Sequence, residues 1–159
     1  MSGKYSKIEL TRLDKVSRLR SLEIEPYPHR VERTHTSAQA LAEFQYAEQN
    51  GHELQAALVG RIRSMRPMGK ITFAHIEDGW GRIQIFLRAN EIGSERVEFF
   101  NRELDLGDFI QASGVMFRTR TGEVTLRVQD FRIIAKSITP LPAAKDEIVD
   151  GEIIQHATL

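Results

Sequence analysis

The sequence has no cysteine, no net charge and no long run of apolar residues, and each absence excludes a class of protein. Without cysteine, disulfides, thiolate zinc sites and cysteine nucleophiles are ruled out. No stretch has the length and hydropathy of a membrane span or of a secretory signal. We therefore expect a soluble, cytoplasmic protein that makes no contact with a membrane. Its 159 residues suffice for one domain with its own core, plus an appendage.

The charges balance over the whole chain but not along it. The 22 Lys and Arg equal the 22 Asp and Glu in number, so the chain as a whole has no electrostatic attraction for phosphate. Residues 57–139 nevertheless hold 13 basic against 10 acidic side chains. A nucleic acid would therefore have to bind at a local patch.

The motifs of common catalytic and metal sites are also missing. Gly69 and Lys70 lack the spacing of a phosphate-binding P-loop, and the five histidines lack metal-ligand spacing. We expect His75, on a strand, to be a hydrogen-bonded structural residue. Glu77 and Asp78 are adjacent on a strand, so they point to opposite faces and cannot share a proton or a metal ion. The sequence predicts no catalytic residue and no metal site.

The central stretch, residues 61–88, has the pattern of a three-stranded meander. Turn signals at residues 67–70 (Pro-Met-Gly-Lys) and 78–81 (Asp-Gly-Trp-Gly) divide it into three alternating runs. In the third run, Ile83, Ile85 and Leu87 share one face. The opposite face of that run carries Arg82, Gln84, Phe86 and Arg88.

The orientation of the middle run is open, and it decides the role of Phe73. If the small residues of this run face a tight barrel interior, Phe73 lies outside among arginine and glutamine side chains. An exposed aromatic ring in that company is typical of a base-stacking platform. In the other orientation Phe73 is a core residue.

The remaining elements complete a mainly β fold. We predict helices at residues 5–22, at 38–50 after a capping box at Thr36, and at 95–103 after a cap at Ser94. The predicted apolar stripe of the second helix consists of Ala38, Leu41, Ala42 and Phe44. Two more strands follow, at residues 109–117 and 123–128, and residues 130–138 either extend the sheet or leave it. A short helix thus separates the third and fourth of five strands. This is the order of a five-stranded OB-fold Greek-key barrel, which binds oligonucleotides on strands 2 and 3. We divide the chain into an N-terminal helical extension (1–56), the barrel (57–142) and a linker or the start of another domain (143–159).

The first predicted helix has a basic flank with two possible uses. Its basic side chains are either a solvated face or a contact for a nucleic-acid backbone. They are Lys7, Arg12, Lys15, Arg18 and Arg20.

Several short segments match the motifs of one known family. They include Met-Gly-Lys-Ile-Thr-Phe at residues 68–73, Asp-Gly-Trp-Gly-Arg-Ile-Gln at 78–84, and Thr-Arg-Thr-Gly-Glu at 119–123. Pro-Tyr-Pro-His-Arg at 26–30 and Pro-Leu-Pro at 140–142 also match, so the likeness runs from about residue 13 to 142. Together these segments resemble the N-terminal anticodon-binding domain of class II lysyl-tRNA synthetase. After residue 142 the family usually continues with a Trp-containing stretch, whereas this chain has Ala-Ala-Lys-Asp-Glu.

The resemblance implies recognition of a lysine tRNA through its anticodon loop. It places Phe73 in a stack on an anticodon base, Gln84 and Glu123 at base edges, and an arginine, Arg66 or Arg61, on a base or phosphate. In the alternative, Glu123 only pairs with Arg120 or Arg127 across the hairpin. ATP and magnesium are implied for a catalytic domain absent from this chain, so we expect no cofactor here and no activity from the 159 residues alone. The full-length family enzyme is expected to be a homodimer.

Three functions therefore remain open at the level of sequence. The chain is an anticodon-binding module of a lysine–tRNA ligase, a free-standing OB domain for single-stranded nucleic acid, or a protein-interaction barrel. The departure after residue 142 leaves a fragment, a truncated gene and a free-standing paralogue as alternatives.

Overall fold

A computed structural model describes residues 5–24, 26 and 32–138, together with the backbone of two short strands near the C-terminus. The helices are α1 (Lys7–Ser21), α2 (Ser37–Gln49), α3 (Ala89–Ile92) and α4 (Ser94–Glu103). The strands are β1 (Gln55–Met68), β2 (Ile71–Asp78), β3 (Gly81–Arg88), β4 (Phe109–Arg118), β5 (Val124–Ala135), β6 (Asp146–Val149) and β7 (Glu152–Gln155). The matching segments at 27–30 and 140–142 lie outside the described residues, as does most of the predicted linker.

The first five strands form a closed barrel in the order β1-β2-β3-β5-β4, which confirms the predicted fold. β1 closes it, because residues 55–61 pair with β4 and residues 61–68 pair with β2. A register shift between Ile62 and Ser64 lies where β1 changes partner. Such irregularities increase strand twist and let a long strand bend around a barrel. β3 and β5 pair in parallel, as the Greek-key connection requires.

The barrel interior settles the orientation of the middle strand. Thr72, Ala74 and Ile76 are buried inside, with Ile83 and Ile85 of β3 beside them. Side chains alternate along a strand, so Phe73 lies on the outer face. The alternative in which Phe73 is a core residue is therefore wrong.

The β2–β3 turn is organised by Asp78, which also fixes the start of α2. Asp78 accepts hydrogen bonds from the backbone N–H groups of Trp80 (2.8 Å) and Gly81 (2.9 Å). The backbone N–H and the hydroxyl of Ser37 donate to the same carboxylate, at 2.8 and 2.6 Å. Burial alone would raise the pKa of Asp78, but these four donors outweigh it and hold the pKa below its ordinary value.

We expect Asp78→Asn to lower the free energy of unfolding by about 1 kcal/mol at pH 7, the scale of one hydrogen bond. The folded pKa is depressed, so the carboxylate stabilises the fold above its unfolded pKa of about 3.9 and that stabilisation is lost below it. Urea titrations at several pH values will measure this. The deficit should shrink as the pH falls below about 4. Asp130→Asn, at an exposed ion pair, is the control with little expected effect, and an equal loss in both variants would contradict the role of Asp78.

Helix α1 uses its basic flank to bind the barrel, which neither sequence alternative anticipated. Lys15 pairs with Asp105 at 2.8 Å and Arg18 with Glu103 at 3.0 Å. Arg12 is buried and donates to the backbone carbonyl of Ser137. These three side chains therefore hold the helix in place and are not directed at a ligand.

Details of three other elements differ from the sequence predictions. Ser94 is the first residue of α4 and makes no capping hydrogen bond, so its predicted role as the cap is wrong. β5 continues to Ala135 because its second half also pairs with β4. α2 buries Ala40, Phe44 and Ala47, whereas Ala38 and Ala42 of the predicted stripe are exposed.

Candidate nucleic-acid interface

An open groove of about 470 Å³ lies on the outer face of the barrel, across β2 and β3 and beside the β4–β5 hairpin. Its position follows from the alternation that buries Thr72 and Ala74 and turns their neighbours outward. Its lining residues are Arg66, Ile71, Phe73, Gln84, Phe86, Phe117, Thr119, Arg120, Thr121 and Glu123. Four of the five residues predicted from sequence therefore meet in one groove.

Three aromatic rings form one side of this groove. The rings of Phe73 and Phe86 have centroids 4.9 Å apart at an angle of 30°, and Phe117 follows at 6.0 Å from Phe86. The guanidinium carbon of Arg66 lies 5.6 Å from the centre of the Phe73 ring. All three rings are only partly buried, so they offer apolar surface on which a flat base can stack. Sequence analysis did not single out Phe117, although its place just before the hairpin was a usable signal.

Gln84 lines the groove but is more enclosed than an outward-facing residue is expected to be, with only 5% of its surface exposed. Its Nε2 donates to the hydroxyl of Thr125 at 3.0 Å. That hydroxyl has one hydrogen, which it donates to the backbone carbonyl of Glu123, so the orientation of the Gln84 amide is determined. Within the described part of the chain, Gln84 Oε1 has no partner and can accept a hydrogen bond from a ligand.

Glu123 lies at the other side of the groove and is held by a histidine. Its Oε2 is 2.8 Å from His75 Nε2, while Oε1 has no partner among the residues that the structure describes. The alternative in which Glu123 pairs with Arg120 or Arg127 is wrong, because the partner of Glu123 is His75. Arg127 instead pairs with Glu91 at 3.1 Å. His75 does form hydrogen bonds, as predicted, and one of them is to Glu123, which lines the groove.

Arg61 lies outside the groove. Its guanidinium carbon is 4.6 Å from the centre of the Phe109 ring, and it lines a second cavity of about 250 Å³. Arg63, Glu77 and Asp78 line the same cavity. Arg66 is therefore the first-strand arginine that the structure brings to the aromatic rings.

Part of the chain matches a known protein family, and this match identifies the family of the fold. The tRNA anticodon family, described as an OB-fold nucleic acid binding domain, matches residues 56–134. Residues 56–134 belong to this OB-fold family. We call residues 56–134 the OB domain. All ten residues that line the groove lie within it.

Over about nine-tenths of its length, the chain is similar to curated lysine–tRNA ligases. The chain is 45% identical over 142 residues to that of Pelotomaculum thermopropionicum, a match that covers 89% of this chain and 27% of the relative. It is 41% identical over 142 residues to that of Carboxydothermus hydrogenoformans, covering 89% and 28%. For that of Thermotoga maritima the identity is 37% over 146 residues, covering 90% and 29%. The chain thus spans between 27 and 29% of the length of these relatives.

Two kinds of feature are absent from the residues that the structure describes in the OB domain and its helices. No helix there is long and apolar enough to cross a membrane. No group of three or more His, Asp or Glu side chains in the same residues is arranged to hold a metal ion.

Proposed function

We propose that the chain is the anticodon-recognition module of a lysine–tRNA ligase and that the outer groove binds a base of the anticodon loop. The observation that carries this proposal is one groove that combines adjacent aromatic rings with two hydrogen-bond acceptors of determined orientation. The similarity to lysine–tRNA ligases over about nine-tenths of the chain supports the choice of RNA.

Each groove residue has a distinct part in this proposal. A base stacks on Phe73, whose other neighbours are the Phe86 ring and the Arg66 guanidinium. Gln84 Oε1 and Glu123 Oε1 accept hydrogen bonds from N–H groups on the base edge. Arg66 supplies positive charge for the adjoining phosphate. Glu123 repels a bare phosphate, so it helps only when a donor faces it.

The chemistry of aminoacylation belongs to the rest of the longer protein in this proposal. That part would bind ATP, magnesium and lysine, and the 159-residue chain alone would bind tRNA without charging it. The longer protein is proposed to be a cytoplasmic homodimer. The groove residues thus determine which tRNA is bound and leave the reaction to residues elsewhere.

We expect the chain to prefer a stem-loop with the lysine anticodon over one with a single anticodon base exchanged. Glu123→Gln should reduce this preference about fivefold or more, since a well-placed hydrogen-bonding pair to a base is worth about 1–3 kcal/mol of discrimination. The substituted amide replaces one acceptor oxygen with a donor and removes the charge. Competition titrations with both stem-loops, for native chain and variant, will measure the ratio of affinities.

Glu98→Gln is the matched control, because it removes the same charge at an exposed position of α4 outside the groove. It should leave the ratio of affinities unchanged. If Glu123→Gln strengthens binding of both stem-loops by the same factor, Glu123 is only a repulsive surface charge. Equal binding of both stem-loops by the native chain would instead indicate a general single-strand binder, and failure to bind either would favour a protein-interaction barrel.

A further inference from the structure

A row of polar side chains crosses four adjacent strands on the outer face, at the edge of the groove. Ser64 of β1 is paired in register with His75 of β2, His75 with Gln84 of β3, and Gln84 with Thr125 of β5. Polar groups in neighbouring register positions lie close enough to interact across strands. The row therefore places Gln84, which lines the groove, beside polar side chains of the two strands that flank β3.

The hydrogen bonds along the first half of this row have a definite direction. An ionised carboxylate only accepts, so the 2.8 Å contact between His75 Nε2 and Glu123 Oε2 requires the hydrogen on Nε2. In a neutral imidazole, Nδ1 is then an acceptor. The hydroxyl of Ser64, 2.9 Å from Nδ1, is the donor that completes it. Ser64 thereby stabilises the tautomer that can bind Glu123.

The second half of the row reaches the same residue by another route. Gln84 donates to Thr125, and Thr125 donates to the backbone carbonyl of Glu123 at 3.1 Å. Glu123 is thus held through its side chain by His75 and through its backbone by Thr125. Its side chain is 46% exposed, and a carboxylate so exposed would otherwise sample several rotamers.

We propose that His75 is a positioning residue for base recognition. It occupies Glu123 Oε2 and leaves Oε1 as the oxygen that meets the ligand, in the same groove as the free acceptor of Gln84. Gln84 and Glu123 then present acceptor oxygens to the base edge, and these select bases whose edge offers N–H groups. This inference rests on the proposed function, since it explains how the groove obtains its preference among bases.

Two variants of similar size separate a positioning role from a structural one. His75→Gln places an amide N–H near the position of Nε2, within reach of Glu123. His75→Asn places its amide near the position of Nδ1, where it can meet Ser64 but falls short of Glu123. Both keep a polar side chain at the same half-exposed site, and thermal unfolding monitored by circular dichroism will compare the folds.

The readout is the ratio of affinities for stem-loops with the lysine anticodon and with one anticodon base exchanged. We expect His75→Gln to retain this ratio and His75→Asn to lose as much of it as Glu123→Gln does. Adding His75→Asn to Glu123→Gln should cause no further loss, because the two substitutions would break the same interaction.

Three outcomes would overturn the inference. The first is an unchanged ratio in His75→Asn, and the second is an equal loss in His75→Asn and His75→Gln. The third is a full additional loss in the double variant. In each of these cases the native chain still discriminates between the stem-loops. A native chain that does not discriminate would overturn the proposed function as well, so the two failures are distinguishable.

Discussion

Replacing Lys136 with methionine is expected to lower the free energy of unfolding by about 3–5 kcal/mol, the cost of leaving a buried charge without its partner. The Lys136 side chain has no exposed surface. Its ammonium group donates to the backbone carbonyl of Glu103 at 2.8 Å and to Asp105 at 2.9 Å, and it forms a short contact with Asp108. Methionine fills much of the same volume, so the loss would come from charge and hydrogen bonding and not from a cavity.

The two carboxylates of this cluster respond differently to their surroundings. Burial would raise the pKa of Asp105, but hydrogen bonds and charge from Lys15 and Lys136 outweigh it and lower the pKa. Asp108 is fully buried, and burial raises its pKa even though Lys136 and two backbone N–H groups oppose the shift. Without Lys136, the pKa of Asp108 should rise further.

The pH dependence of the variant follows from that rise. A carboxyl group with a raised folded pKa is most favourable to folding below its unfolded pKa of about 3.9, and its contribution falls as the pH rises through the folded value. The deficit of Lys136→Met should therefore be smaller at about pH 5 than at about pH 8. Urea unfolding at both pH values will measure it.

Lys15→Met is the control for the Lys136 experiment. Lys15 pairs with Asp105 alone among the carboxylates of this cluster, and its side chain keeps 14% of its surface exposed. Its removal should cost clearly less, because Lys136 still compensates both carboxylates. Equal losses in the two variants, or a loss below about 1 kcal/mol for Lys136→Met, would contradict a buried charge cluster as the reason.

Removing the ring of Phe73 is expected to weaken binding of the anticodon stem-loop by about 1–3 kcal/mol, the contribution of one base stack measured by alanine substitution. This corresponds to about a 5- to 150-fold increase in the dissociation constant. Phe73 faces outward, so the barrel core should be retained in Phe73→Ala. Titration of the lysine anticodon stem-loop, with circular dichroism as the check on folding, will test this.

The chain supplies a matched control in Phe109→Ala. Phe109 is also partly buried beside an arginine, with Arg61 at 4.6 Å, but it lies in the second cavity and not in the groove. Phe109→Ala should bind the stem-loop as the native chain does. If the two substitutions weaken binding equally, the groove is not the sole base-binding site, because the Arg61 cavity would share that role.

The sequence by itself determined the order of the barrel strands, the turns between them and the outward face of β3, because these depend on local pattern. Strict alternation in β3 shows which residues of that strand are buried, and Asp78-Gly79 marks the turn before it. The roles of Phe73, Gln84 and Glu123 came from the resemblance to the anticodon-binding domain, because local pattern alone left the orientation of the strand that carries Phe73 open.

Only the tertiary structure decided the contacts between residues far apart in the chain. His75 and Glu123 are 48 residues apart, and no periodicity relates them until the barrel brings β2 beside the β4–β5 hairpin. The lysines of the buried cluster come from α1 and from the residue after β5, so their common carboxylate could not be identified from either segment. The orientation of a polar side chain depends on partners supplied by other strands. The sequence could therefore place Gln84 on the outer face, but it could not show which of the two amide atoms remains free.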